Sequence, residues 1–196
     1  VVDSTWNRPT GRITNTRLRE KGEMKRLVDI RSLDGDNKYY AKDKALAREL
    51  ISEIYADAFS EQKADKKIMT TYEAPIMDQK KFVGLIGVDV TLDRFQEIVS
   101  GIQLEDLEGS YAFLISHNGK YAGHPVNDKL NTFIPKNPTS NPDFNIYQKI
   151  KLGKPFSLVN DRGEEERFVS YFPIKISRTD TYWYLGITVP RESIIQ

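Results

Sequence analysis

Residues 70–95 read TTYEAPIMDQKKFVGLIGVDVTLDRF. Two β-rich runs flank a polar turn and lead into a helix-like pattern, the outline of a hairpin followed by a helix. The chain repeats that outline at 169–194, VSYFPIKISRTDTYWYLGITVPRESI. Tyr72, Pro75-Ile76, Phe82 and Gly87-Val88 match Tyr171, Pro173-Ile174, Trp183-Tyr184 and Gly186-Ile187, at an offset of about 99 residues. A shared order at an offset of half the chain indicates duplication, hence two modules built on one plan.

The second module opens with YAFLISHNGKYAGHP (111–125), where Asn118-Gly119 between apolar runs signals a tight hairpin. A loop and short helical pattern follow in NPTSNPDFNIYQKI, then strands at FSLV, RFVSYFPI and YWYLGITV. This predicts a five-stranded antiparallel sheet with helical segments between its second and third strands. The first module is laid on the same plan. TWNRPTGRITNTR (5–17) reads as a hairpin turning at Pro9-Thr10-Gly11. KDKALARELISEIYADAF (42–59) contains a helical stretch, with Leu46, Leu50, Ile51 and Ile54 at helical spacing. IMTTYEAPI and KFVGLIGVDV are the paired strands, and LDRFQEIVSGI is an amphipathic helix with Leu92, Phe95, Ile98, Val99 and Ile102 on one face. The boundary falls near residue 105, in LEDLEG, giving modules at 1–105 and 106–196 and an α+β fold.

Composition narrows the function. A net charge of +1 gives no electrostatic case for nucleic acid. No apolar run approaches a membrane span, and no signal peptide is visible. The absence of cysteine excludes disulfides and thiolate metal sites. His117 and His124 are the only histidines and lie far in sequence from the partners a zinc site would need, and Ser116-His117 adjacency does not make a nucleophile–base pair. GEEERF reads as a solvated turn and strand entry. The reading is a binding module, not an enzyme, with no cofactor and no metal. Asp89, within GLIGVDV, is the exception in an apolar run: either it caps the helix that follows or it has a ligand to hold.

The order of motifs resembles the double Cache domain, two PAS-like modules in tandem that form the extracytoplasmic sensor of bacterial chemoreceptors and histidine kinases. The stretches that carry the resemblance are TTYEAPIMDQKKFVGLIGVDVTLDRFQEIV, YAFLISHNGKYAGHP and WYLGITVPRESI, and it extends over nearly the whole chain. The family's long first helix is not seen, and VPRESIIQ stands where the family descends to its second membrane span, which suggests a fragment excised between two spans. The resemblance implies a periplasmic or extracellular sensor, a parent receptor in the membrane, a small polar ligand such as an amine or amino acid, and a possible homodimer in the full receptor. A methyl-accepting chemotaxis output is favoured. A histidine kinase, a cyclase, or a ligand-free module reading a protein partner are the alternatives.

It also implies site residues. The aspartate of G-V-D, here Asp89, would face the distal pocket and accept hydrogen bonds from a ligand ammonium. Tyr55 and Asp57 would correspond to the aromatic and carboxylate of the pocket rim; Tyr55 fits equally well on an apolar face with Ile51 and Ile54. In DNKYYAKDK, Tyr39 and Tyr40 occupy the positions of the family's aromatic pair, either as pocket walls or as core aromatics. Asn37 stands where amino-acid binders carry an arginine, so no bidentate carboxylate clamp is implied there; Lys38 or Arg31 could serve as a point charge. Trp6, Arg8 and Arg12 lie in the first hairpin, read as packed on the sheet and exposed respectively.

Overall fold

The structure is a computed structural model. It describes the backbone of residues 5–7, 12–14, 17–20, 23–26, 76, 78 and 81–85, and residues 48–56, 67–75, 77, 79, 86–102, 104 and 107–194. Two antiparallel sheets dominate it. The larger contains β9 (Tyr111–Ile115), β10 (Tyr121–Gly123), β11 (Phe156–Asn160), β12 (Arg167–Lys175) and β13 (Tyr182–Pro190), in the order β10-β9-β13-β12-β11. A short 3-10 turn (Asn127–Lys129) and α2 (Ile146–Lys151) lie between β10 and β11. Asn145 caps α2, its side chain accepting from the Tyr147 amide at 3.1 Å. The β9–β10 turn passes through Gly119 at φ +80°, where a Cβ would stand 2.6 Å from the Tyr147 ring. Both the backbone angle and the space require glycine there.

The smaller sheet is centred on β7 (Ile68–Asp78). It forms a long hairpin with β8 (Lys81–Thr91), and on its other edge it pairs with β5 (Leu50–Ile51) and β6 (Tyr55–Ala56). Near the N-terminus β1 (Thr5–Asn7) pairs with β2 (Arg12–Thr14), the hairpin expected around Pro9-Gly11, and β3 (Arg17–Glu20) pairs with β4 (Glu23–Arg26).

One expectation is overturned. Residues 48–56 are extended, not helical. Leu50 lies opposite Glu73, Ile51 opposite Tyr72, and the Ser52 amide donates to the Thr71 carbonyl at 2.8 Å. The spacing of Leu50, Ile51 and Ile54 suits a helix face, but pairing with β7 satisfies the backbone, and Ile54, between the two short strands, is buried in the core with Trp183.

The large sheet is covered on both faces. β9 alternates: Phe113 and Ile115 face a front core with Ile146, Ile150 and Tyr184, while Ala112 and Leu114 face a back core with Trp183. The back core is completed by residues from earlier in the chain. Leu92 and Val99 of α1 (Leu92–Ser100) are 2% and 3% exposed, and Ile54 is 2% exposed. Gly123 admits the helix to the sheet, because a Cβ there would come within 2.8 Å of Val99 Cγ2. α1 is thus amphipathic as expected, but Ile98, assigned to its apolar face, is exposed.

Because Ile54 fills the back core from the three residues between β5 and β6, Ile54→Ala should cost about 2–4 kcal/mol of stability, the usual range for a buried aliphatic truncation. Urea denaturation of the chain checks this; a loss below about 1 kcal/mol would show that the segment is not anchored there.

Candidate functional site

Asp89 sits near the end of β8 with its side chain on the exposed surface of the small sheet. Directly opposite it on β7 is Thr71. The Thr71 hydroxyl donates to Asp89 Oδ1 at 2.7 Å, and the Tyr55 hydroxyl reaches the same oxygen at 3.2 Å. Tyr55 and Thr71 are themselves 2.6 Å apart. Asp89 therefore does not cap α1: Thr91 is the N-cap residue, and it makes no side-chain cap bond. Two hydroxyls fix one carboxylate oxygen, and among the described residues Oδ2 accepts no hydrogen bond. An exposed carboxylate held in one orientation is suited to accept from an ammonium or amidinium donor.

The same face of the hairpin extends from Asp89 and Thr71 to Gly87 and Glu73, which are also directly opposite each other. A Cβ on Gly87 would lie 3.2 Å from Thr71 Cγ2 and 3.7 Å from Glu73 Cγ, so its absence keeps open the space beside Asp89. The face thus carries two carboxylates. Burial pushes the Tyr55 phenol up to about 12; the Thr71 hydrogen bond works against this and the Asp89 charge adds to it. Tyr55 is accordingly a neutral donor at any physiological pH.

Of the residues singled out by sequence, the structure brings Tyr55 and Asp89 into contact. Asp57, Tyr39 and Tyr40, with Asn37, Lys38, Arg31 and Arg8, lie outside the described residues, and of Trp6 and Arg12 only the backbone is described. Thr71, Glu73 and Gly87 were missed. Only the β7–β8 register, which sets Thr71 against Asp89, could have found them. Among the described residues no group of three or more His, Asp or Glu could hold a metal ion, and no helix is long and apolar enough to cross a membrane.

The Cache domain family profile matches residues 2–196. The chain belongs to the Cache domain family. This Cache domain is 26% identical over 131 residues to the methyl-accepting chemotaxis protein PscA of Pseudomonas syringae pv. tomato, covering 65% of this chain and 18% of that protein. It is 28% identical over 131 residues to the methyl-accepting chemotaxis protein PctB of Pseudomonas aeruginosa, covering 64% and 18%. The chain thus spans less than a fifth of the length of these curated relatives. Among solved structures it shares its fold with "Methyl-accepting Chemotaxis protein X", with a TM-score of 0.70 at 17% identity, covering 95% of this chain and 66% of that one. It also shares its fold with the ligand-binding domain of PctB in complex with L-Arg, with a TM-score of 0.61 at 18% identity, covering 86% and 65%.

The raised Tyr55 value carries a testable sign. The unfolded phenol loses its proton near pH 10, while the folded one keeps it to about 12. The unfolded state therefore binds fewer protons between these values, and the contribution of Tyr55 to stability falls as pH rises through that window. Melting temperatures recorded from pH 9 to 11.5 should fall less steeply for Tyr55→Phe than for the parent. Parallel slopes would show that this phenol is not buried in solution as it is in the structure.

Proposed function

We propose that this Cache domain is the extracytoplasmic sensor of a membrane chemoreceptor and that its first module binds an amine or amino-acid-like ligand with the positive group on Asp89. The observation that carries the reading is the exposed Asp89 carboxylate, oriented through Oδ1 by Thr71 and Tyr55. The kinship with chemotaxis proteins supports the role, and the L-Arg bound in the PctB structure supports the ligand class. Asp57, Tyr39 and Tyr40 are proposed as further walls of the same pocket. The parent protein is proposed to sit in the membrane with this region outside the cytoplasm, possessing no catalytic activity of its own and forming a homodimer in the full receptor.

The route from ligand to second module is segment 48–56. Tyr55 contacts Asp89, and its neighbours grip the large-sheet module. The Ile54 carbonyl accepts from Lys120 Nζ at 3.1 Å, and Glu53 lies 3.8 Å from His117 Nε2. Arg48 pairs with Asp180, and Glu49 pairs with Arg178. A ligand that shifts Asp89 and Tyr55 therefore pulls on a strand whose next residues are anchored in the turns of the second module.

Asp89→Asn keeps the shape and one acceptor but removes the charge. Calorimetry against a panel of amino acids and amines should show affinity falling by about 1.5–3 kcal/mol relative to the parent, the scale of a hydrogen bond to a charged group. Unchanged affinity would overturn the reading, as would tight binding of a dicarboxylate at this site by the parent chain.

A further inference from the structure

Three consecutive residues of segment 48–56 meet three different surroundings. Ile54 is seated in the back core at 2% exposure, and the Tyr55 hydroxyl reaches Asp89 on the small sheet. Glu53 meets the β9–β10 turn of the second module, with its Oε2 3.8 Å from His117 Nε2. The Glu53 and His117 side chains are only 26% and 28% exposed. Glu53 Oε1 accepts from the Ile54 amide at 2.7 Å, whereas Oε2 is buried and accepts no hydrogen bond among the described residues. A carboxylate oxygen shut away from water ordinarily has a partner, and the imidazole is the group placed to supply one.

The other groups at this contact are committed elsewhere. Lys120, from the same turn as His117, donates to the Ile54 carbonyl at 3.1 Å and to Asn131 Oδ1 at 3.2 Å, and its Nζ lies 5.4 Å from the centre of the Phe133 ring. Asn131 and Phe133 bring no charge. α2 packs on the turn at Gly119 through Tyr147, whose hydroxyl donates to the Ile134 carbonyl at 2.7 Å and whose phenol is raised by burial, so it stays neutral. His117 differs from all of these, because an imidazole in ordinary surroundings gains and loses its charge near pH 6.5, roughly.

We propose that Glu53 and His117 form a proton-dependent clamp between the two modules. With the imidazole neutral, the Glu53 carboxylate faces an uncharged ring. When the ring takes a proton from solvent, Nε2–H donates to Oε2 and the contact becomes an ion pair. The present 3.8 Å lies within ion-pair range but is too long for a hydrogen bond, so closing it is the movement that the proton supplies. Glu53 is two residues from Tyr55, so the clamp bears on the strand that holds the Tyr55 hydroxyl against Asp89. It needs no ligand at Asp89 and stands apart from the reading of that site.

The sign follows from where the proton is held. The folded state gives the His117 proton a partner that the unfolded chain lacks, so it binds more protons through the imidazole range, and the clamp stabilises more as pH falls. His124 acts in the opposite direction: burial holds its imidazole below the ordinary value, so it lowers stability as pH falls. Variants that all keep His124 share that contribution, and it cancels between them.

The test uses the 196-residue chain as parent, Glu53→Gln, His117→Gln and the double variant. Glutamine at position 53 keeps the shape and an acceptor for the Ile54 amide but removes the charge. The chain has two histidines, so the imidazole NMR signal missing from His117→Gln identifies His117. Its titration midpoint should fall by about 0.2–0.7 pH unit in Glu53→Gln, the shift that corresponds to a partly exposed ion pair. The gap in melting temperature between parent and Glu53→Gln should widen from about pH 8 to about pH 6, across the imidazole range. Between His117→Gln and the double variant the gap should stay constant. An unchanged midpoint, a gap that does not widen, or a gap that widens equally without His117 would each overturn the proposal. If the double variant fails to fold, the midpoint still decides.

Discussion

The back face of the large sheet is the constraint on which the rest of the molecule depends. A sheet with Trp183, Ala112, Leu114 and Ala122 on that face cannot leave it in water, and among the described residues the second module covers it only with the partly buried Leu130 and Ile176. The cover comes from upstream: Leu92 and Val99 of α1, and Ile54. Burying an aliphatic side chain of this size is worth about 1.5–3 kcal/mol, so these three outweigh any single polar contact between the modules. Once Ile54 is seated, its neighbours have little freedom. Leu50 and Ile51 must meet β7 on one side and Tyr55 on the other, which places the Tyr55 hydroxyl on Asp89. The candidate site of the first module is therefore held in register by a residue buried in the second.

Electrostatics refine this arrangement without creating it. The ion pair of Arg48 with Asp180 is solvent-exposed, and pairs of that kind contribute little. Glu49 is different in kind, because it joins three elements. The Tyr72 hydroxyl of β7, and then Arg178 of the β12–β13 turn, hold its carboxyl below the usual range, and the Tyr72 phenol is raised in return. The contact specifies which turn the strand lies against, a matter of register more than of strength.

How far the sequence could be read follows from which contacts are local. The Asn118-Gly119 turn, the β7–β8 and β12–β13 hairpins and the helical segments between β10 and β11 rest on neighbouring residues and were legible. Residues 48–56 were not, because Leu50, Ile51 and Ile54 satisfy a helical period as well as two short strands, and the choice is made by β7 and by distant contacts such as Lys120 on the Ile54 carbonyl, 66 residues downstream. Ile98 was misassigned for a related reason. The sheet that covers α1 meets Leu92 and Val99 closely at Gly123, and this leaves Ile98 toward solvent. At the site, Asp89 stood out as a charge in an apolar run, whereas Thr71 has no local mark and becomes visible only through cross-strand register.

The similar stretches 70–95 and 169–194 make the contrast between the two sheets informative. Asp89 and Thr188 occupy matching places, each two residues beyond a matching glycine, Gly87 or Gly186. In the first module the place holds a carboxylate, exposed and braced by two hydroxyls from neighbouring strands. In the second it holds a hydroxyl, 2% exposed, that accepts from the guanidinium of Arg167. One substitution thus turns the position from an acceptor facing outward into an acceptor already occupied by the protein's own cation. The glycines diverge in the same sense. Gly87 leaves space beside Asp89, whereas a Cβ at Gly186 would fall 2.1 Å from the Phe113 ring, so the corresponding space is filled by an aromatic side chain.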